Sequence, residues 1–137
     1  MTTLVATGPI VAFLNRRDRH HGWAVETFST VRAPLLTCEA VLSEATYLLR
    51  RLTGGPEKAI ELLTRGVVTV PFRLEGEAPA VKKLLARYGN VPMDLADACL
   101  VRLTELHADC VLLTVDSDFR DVYRRNGRQA IPTVLPR

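Results

Sequence analysis

A chain of 137 residues, 47% hydrophobic and 24% charged, has the size and composition of one globular domain, so a single unit over 1–137 is expected. The net charge of +3 is a mild bias, and with 6% aromatic residues no base-stacking platform is advertised. Cys38, Cys99 and Cys110, odd in number and scattered through apolar segments, argue against a disulfide framework and a zinc site and read as reduced core residues.

In chain order, Thr3 to Ala6 is the first strand and Pro9 to Asn15 the first helix. The apolar run Leu4 to Leu14 that contains them is too short to span a bilayer. It is interrupted by Gly8-Pro9 and followed, not preceded, by positive charge. No signal peptide or membrane segment is read there, and a cytoplasmic location is expected. The basic cluster Arg16, Arg17, Arg19, His20 and His21 leads into a helix from His21 to Thr30, with both histidines expected at its solvent face. A strand over Pro34 to Thr37 and a helix over Glu39 to Leu52 come next. Gly54-Gly55-Pro56 then opens a helix from Pro56 to Arg65, with proline in its first turn. Gly66 separates that helix from a strand over Val67 to Pro71. The helix Ala78 to Tyr88 carries Lys82, Lys83 and Arg87 and ends at Gly89. Then come the helix Leu95 to His107, the strand Cys110 to Val115, the helix Phe119 to Asn126 and the strand Ala130 to Leu135. Arg124, Arg125 and Arg128 form a third basic cluster. Alternating short β runs with amphipathic helices points to an α/β domain with a parallel sheet flanked by helices. The basic clusters suit either steering of a polyanion such as RNA or solvated helix faces.

Four acidic residues stand in or beside apolar runs: Glu44 in CEAVLSEATYLL, Asp94 and Asp97 in VPMDLADACLV, and Asp116 directly after VLLTV. A carboxylate drawn toward a core edge loses hydration, and is tolerated when protonated, paired with a cation or bound to a metal. In open parallel sheets ligands bind beyond the carboxyl ends of strands, where strand order reverses, and the residues after the first and fourth strands are Ala6 and Asp116. Asp94 and Asp97 share a helix face or form its cap and first turn. Glu44 lies among Val41, Leu42, Tyr47 and Leu48 in a helix expected to pack them all on the sheet.

Hard oxygen ligands of this kind suit Mg²⁺ or Mn²⁺, and the chemistry they support is phosphodiester hydrolysis. No Walker lysine loop, Gly-rich dinucleotide turn, Gly-x-Ser-x-Gly elbow or His-Glu-x-x-His is present. Plain structural roles stand beside each of these: Asp94 as N-cap with Asp97 in the first turn, Asp116 with Asp118 capping the last helix, Glu44 reaching water, and Thr7 capping the first helix or steadying a site.

Four segments together, TGPIVAFLNRRDRHHGWA, LLTCEAVLSEATYLLRR, RYGNVPMDLADACLVRL and LLTVDSDFRDVYR, resemble the PIN-domain nucleases and, within them, the VapC-type toxins of bacterial toxin–antitoxin pairs. The resemblance implies a PIN-like three-layer fold with a five-stranded, mostly parallel sheet of order 3-2-1-4-5. It also implies a Mg²⁺- or Mn²⁺-dependent endoribonuclease, a homodimer, and a cognate antitoxin that inserts a peptide into the site. Carried over by position, Glu44, Asp97 and Asp116 match three acidic metal ligands, Asp94 and Asp118 are auxiliaries, and Thr7 matches the hydroxyl after the first aspartate. The fourth acidic position falls on Ala6, which implies a crippled site. Two readings of that alanine stand open: an engineered truncation that disarms a toxin, or a degenerate scaffold that binds antitoxin or RNA without cutting. Arg16, Arg17 and Arg19 are the candidate RNA contacts, and exposed apolar residues on the helices after Gly55 and Pro79 the candidate dimer or antitoxin surface. A phospho-receiver shares the architecture, but LVATGP lacks its first acids and IPTVLPR its lysine.

Overall fold

The computed structural model describes residues 1–137. In chain order the elements are β1 (Thr2–Val5), α1 (Thr7–Leu14), α2 (His21–Thr30), β2 (Leu35–Leu36), α3 (Glu39–Leu48), α4 (Gly55–Thr64) and β3 (Val68–Thr69). They continue with α5 (Leu74–Arg87), α6 (Leu95–Leu106), β4 (Cys110–Leu113), α7 (Asp118–Asp121), β5 (Arg124–Arg125), β6 (Gln129–Ala130) and β7 (Thr133–Val134). The main sheet is parallel throughout, in the order β3-β2-β1-β4-β7. This is the expected order, with β7 as the fifth main strand because a separate antiparallel hairpin, β5–β6, precedes it.

Central strands covered by helices on both faces read as unbroken apolar runs, and Leu4, Val5, Leu112 and Leu113 at the centre are buried accordingly. β1 and β4 pair in register from Thr2–Cys110 to Val5–Leu113. Strand order reverses between them, so the residues after each strand meet at one crevice: Ala6 and Thr7 after β1, Thr114 to Asp116 after β4. The crevice is narrow at Gly8. A Cβ built there would overlap the Val115 side chain, so the first turn of α1 approaches the end of β4 only because residue 8 has none. Gly8→Ala is expected to cost about 1–3 kcal/mol, the usual penalty of overpacking, read as a lower urea midpoint at unchanged m-value.

Several sequence expectations shift. α3 stops at Leu48 instead of Leu52, since α4 packs so tightly that a Cβ on Gly55 would overlap the Leu49 carbonyl, and the chain must turn between them. Tyr47 and Leu48 therefore face outward, 62% and 56% exposed, while Val41 and Leu42 alone pack inward. α5 begins at Leu74, a turn before Ala78, where Glu75 and Glu77 favour its N-terminal dipole. Its Val81 and Leu84 are buried, so of the two helices expected to expose apolar residues, α4 does so at Ile60 and α5 only at its start, at Leu74, before Pro79. His21 is half-buried, its Nδ1 2.7 Å from the Ala12 carbonyl, and does not simply face solvent. The last expected helix, to Asn126, is the single turn α7, because Asn126 and Gly127 take left-handed backbone and reverse the chain into β5–β6. All three cysteines are buried and free, as expected. No helix is long and apolar enough to cross a membrane.

Strand alternation also splits the third basic cluster. Arg124 points outward, whereas Arg125 turns inward and is 5% exposed, so it is no part of a surface patch. Its guanidinium donates to the carbonyls of Thr104, His107 and Ala108 at the end of α6.

Candidate active site

The crevice beyond β1 and β4 is lined by acids from three separate elements. Thr7, first residue of α1, does not cap that helix; its Oγ1 donates to Glu44 Oε1 at 2.6 Å across 37 residues. Of its two candidate roles, Thr7 therefore takes the one that steadies the site. Glu44 sits half-buried on α3, near the Asp94 carboxyl. Burial pushes the Glu44 carboxyl above the usual range, Thr7 pulls it down and Asp94 pushes it up again.

Asp94 and Asp97 form a reciprocal capping box at the start of α6: Asp97 N–H donates to Asp94 Oδ1 at 2.8 Å, and Asp94 N–H to Asp97 Oδ2 at 3.3 Å. The box fixes both carboxylates at one helix terminus. Tyr123 adds a donor that the sequence reading missed, its hydroxyl 3.3 Å from Asp97 Oδ2. Burial and the neighbouring Asp94 push Asp97 up to about 7. The Tyr123 hydroxyl is raised in turn, by burial and by the negative charge of Asp97, Asp118 and Asp116.

After β4, the Asp116 N–H donates to Thr114 Oγ1 at 3.0 Å and Asp116 Oδ1 accepts from the Asp118 N–H at 2.9 Å. Asp116 thus starts α7 while its exposed carboxylate stays at the crevice, and burial, with Asp116 and Asp121, raises Asp118. The acids form a string, Glu44–Asp94–Asp97–Tyr123, with Asp116 and Asp118 at its far end. No three Asp, Glu, His or Cys side chains surround one point as metal ligands do. Ala6, 5% exposed at the end of β1, stands where the fourth carboxylate is expected.

Arg16, Arg17 and Arg19 lie in the loop beyond the far end of α1, where Arg19 Nε is 3.0 Å from His20 Nε2. Beside Glu44 and Asp94 opens a cavity of about 830 Å³ with an apolar floor that includes Cys38, Phe72, Leu95 and Cys99.

The PIN-domain sequence pattern matches residues 4–125, which takes in every acid of the crevice. The chain belongs to the PIN-domain family. A search of curated protein sequences gives no match. Among solved structures this PIN domain is similar to VapC20 of Mycobacterium tuberculosis, described as a sarcin-ricin loop cleaving toxin. The two share 23% identity over 85% of this chain and 92% of that one, with a TM-score of 0.73.

An acid held near 7 makes the PIN domain's stability depend on pH. The folded state binds the Asp97 proton more tightly than the unfolded chain does, so the stabilisation is complete in acid and is lost as pH rises from about 4 to about 7. At full strength that linkage amounts to ~4 kcal/mol, and solvent at this half-buried group screens it to about 1–2 kcal/mol. Asp97→Asn keeps an acceptor for Tyr123 and for the box but cannot ionise. Urea titrations of the metal-free protein are expected to show that variant more stable than the parent at pH 8, with a flatter pH profile. Equal slopes would rule out Asp97 as their source.

Proposed function

We propose that the chain is a VapC-type endoribonuclease toxin that hydrolyses RNA phosphodiesters with Mg²⁺ or Mn²⁺, impaired as written because its first acidic position is Ala6. The observation that carries this reading is the row of Glu44, Asp94 and Asp97 at the strand-order reversal of a PIN domain, with Asp116 entering from β4. The donors are hard carboxylate oxygens, which fit Mg²⁺ in kind, while residue 6 supplies no carboxylate and no three of the acids converge on one point. Glu44, Asp97 and Asp116 are the residues that would hold the ion. Bound there, it would supply an activated water and neutralise charge on the leaving oxygen.

The chain's own groups prepare that chemistry. The Thr7 hydroxyl fixes the rotamer of Glu44. The capping box and Tyr123 fix Asp97. Desolvation of Glu44 and Asp97 leaves crowded acids that a cation relieves. The fold shared with a sarcin-ricin loop cleaving toxin supports RNA as the substrate class. The apolar cavity beside Glu44 suits a peptide from a cognate antitoxin, and exposed Tyr47, Leu48 and Ile60 suit a homodimer contact. A cytoplasmic location agrees with these partners.

Ala6 itself favours a second reading, a degenerate PIN scaffold that binds antitoxin or RNA without cutting. Isothermal titration of Mg²⁺ into the chain and into Ala6→Asp separates the two. The nuclease reading expects heat from the second protein well above the first, and a scaffold expects no difference.

A further inference from the structure

With Arg125 withdrawn to the interior, the outward side of the β5–β6 hairpin carries Arg124 and the exposed Arg128, and exposed Arg87 of α5 joins them by donating to the Gly127 carbonyl. The ion pairs of the structure engage the N-terminal amine, Arg65, Arg102 and Arg120, and none of these three arginines. Asp121, an acid close enough to feel the Arg124 charge, is taken by Arg120 through both oxygens, at 2.8 and 3.1 Å. Arg124 donates only through Nη1, to the Arg120 and Tyr123 carbonyls, which leaves Nε and Nη2 free.

The hairpin is tied by hydrogen bonds to α6 and, through Tyr123, to the acid row. Arg124 N–H donates to the Tyr88 hydroxyl at 2.9 Å, Asn126 N–H to Glu105 Oε2 at 2.6 Å, and Tyr123, one residue before β5, reaches Asp97. The loop of Arg16, Arg17 and Arg19 lies instead past the eight residues of α1, ~12 Å of helix away from Thr7. Arg124 directly follows Tyr123, whose hydroxyl meets Asp97, and the hairpin tip, held by Asn126 at Glu105, lies eight residues of α6, ~12 Å of helix, farther from that acid. Three unpaired guanidiniums on a fixed edge suit phosphates, which they bind with paired donors and with release of counterions.

We propose that the outward face of the β5–β6 hairpin, formed by Arg124 and Arg128 with Arg87 behind them, is the track along which the RNA backbone enters the acidic crevice. The track rests on the ribonuclease reading and adds to it the face that the substrate crosses. Arg124→Gln/Arg128→Gln, both partly or fully exposed, leave the core intact, and an unchanged urea midpoint verifies this.

The measurement is fluorescence anisotropy of a labelled mixed-sequence oligoribonucleotide against the Ala6 chain across a salt series. Each lost phosphate contact lowers the slope of log K against log salt by ~0.7, so the double variant should lose about 25-fold in affinity near 0.1 M salt and ~1.4 in slope. Arg16→Gln/Arg17→Gln should change affinity less than about twofold by the same arithmetic. A hairpin variant that keeps the parent affinity and slope, on a chain that binds RNA, overturns the track and leaves the ribonuclease reading intact. A parent chain that binds no RNA overturns the reading itself, and the track with it.

Discussion

Ala6→Asp is expected to complete the proposed metal site, with Mg²⁺ affinity rising by more than the roughly 10–100-fold carried by outer-shell partners of a metal. Metal-promoted RNA cleavage should rise by about 10²–10⁴-fold, the equivalent of the several kcal/mol that an ion contributes to charge stabilisation in such a reaction. The backbone accepts the change. Residue 6 is the N-cap of α1, at φ −88° and ψ 177°, a conformation in which aspartate is a favoured cap and alanine a poor one. The new carboxylate stands one residue before Thr7, which holds Glu44, and Glu44 is already pushed toward protonation by burial, so without metal the change adds repulsion, and with metal it is expected to add a ligand. Thermal midpoints should accordingly depend on Mg²⁺ far more steeply in Ala6→Asp than in the parent. Ala6→Asn is the control, since it caps equally well and carries no charge. Should asparagine restore cleavage as fully as aspartate, or aspartate restore none with either ion, the proposed metal site is refuted. Sequencing of RNA ends from cells expressing Ala6→Asp would report the cleaved RNA as well.

Arg125→Ala is expected to be the most destabilising change outside the site. The guanidinium is buried without a carboxylate partner and instead serves the orphan carbonyls at the end of α6: Nη1 reaches Ala108 O at 3.3 Å and Cys110 Sγ at 3.7 Å, and Nη2 reaches His107 O at 3.2 Å and Thr104 O. Its charge also complements the negative end of the helix dipole. Truncation leaves a cavity and strips donors from the buried Thr104 carbonyl and Cys110 sulfur and from the part-buried carbonyls of His107 and Ala108, which together amount to about 3–5 kcal/mol. Arg125→Met keeps most of the volume and removes only the donors, so it should retain roughly half of the loss, about 2 kcal/mol. Urea unfolding of both variants checks this, and a methionine variant as stable as the parent would show that packing alone matters here. Because Arg125 ties β5 to α6, the alanine variant should also loosen Tyr123 from Asp97 and, by removing a donor that favours the carboxylate, steepen the pH profile of stability.

Arg125 shows what local patterning leaves undecided. In the string Arg124-Arg125-Asn126-Gly127-Arg128 the three cations read as one patch, and a helical reading through Asn126 obscured the Asn-Gly pair, the local signal of a hairpin. Once the chain reverses there, a strand's period of two sends Arg124 to solvent and Arg125 to the interior. The reverse held at α6: Asp94 and Asp97, three apart before an apolar run, announce a cap through residues only one turn distant, and the capping box forms there. The central strands β1 and β4 were legible for a similar reason, since a strand buried on both faces must be apolar throughout.

The sequence by itself thus determined the parallel α/β architecture, the placement of each acid at the end of a strand or on a helix, and the absence of a carboxylate at residue 6. Only the tertiary structure decided that Thr7 holds Glu44 rather than capping α1, that Tyr123 reaches Asp97, and that the acids form a row instead of a closed cradle. Helix caps and strand alternation are fixed by neighbours a few residues apart, whereas a hydrogen bond spanning 37 or 26 positions exists only after the sheet has brought distant elements to one crevice.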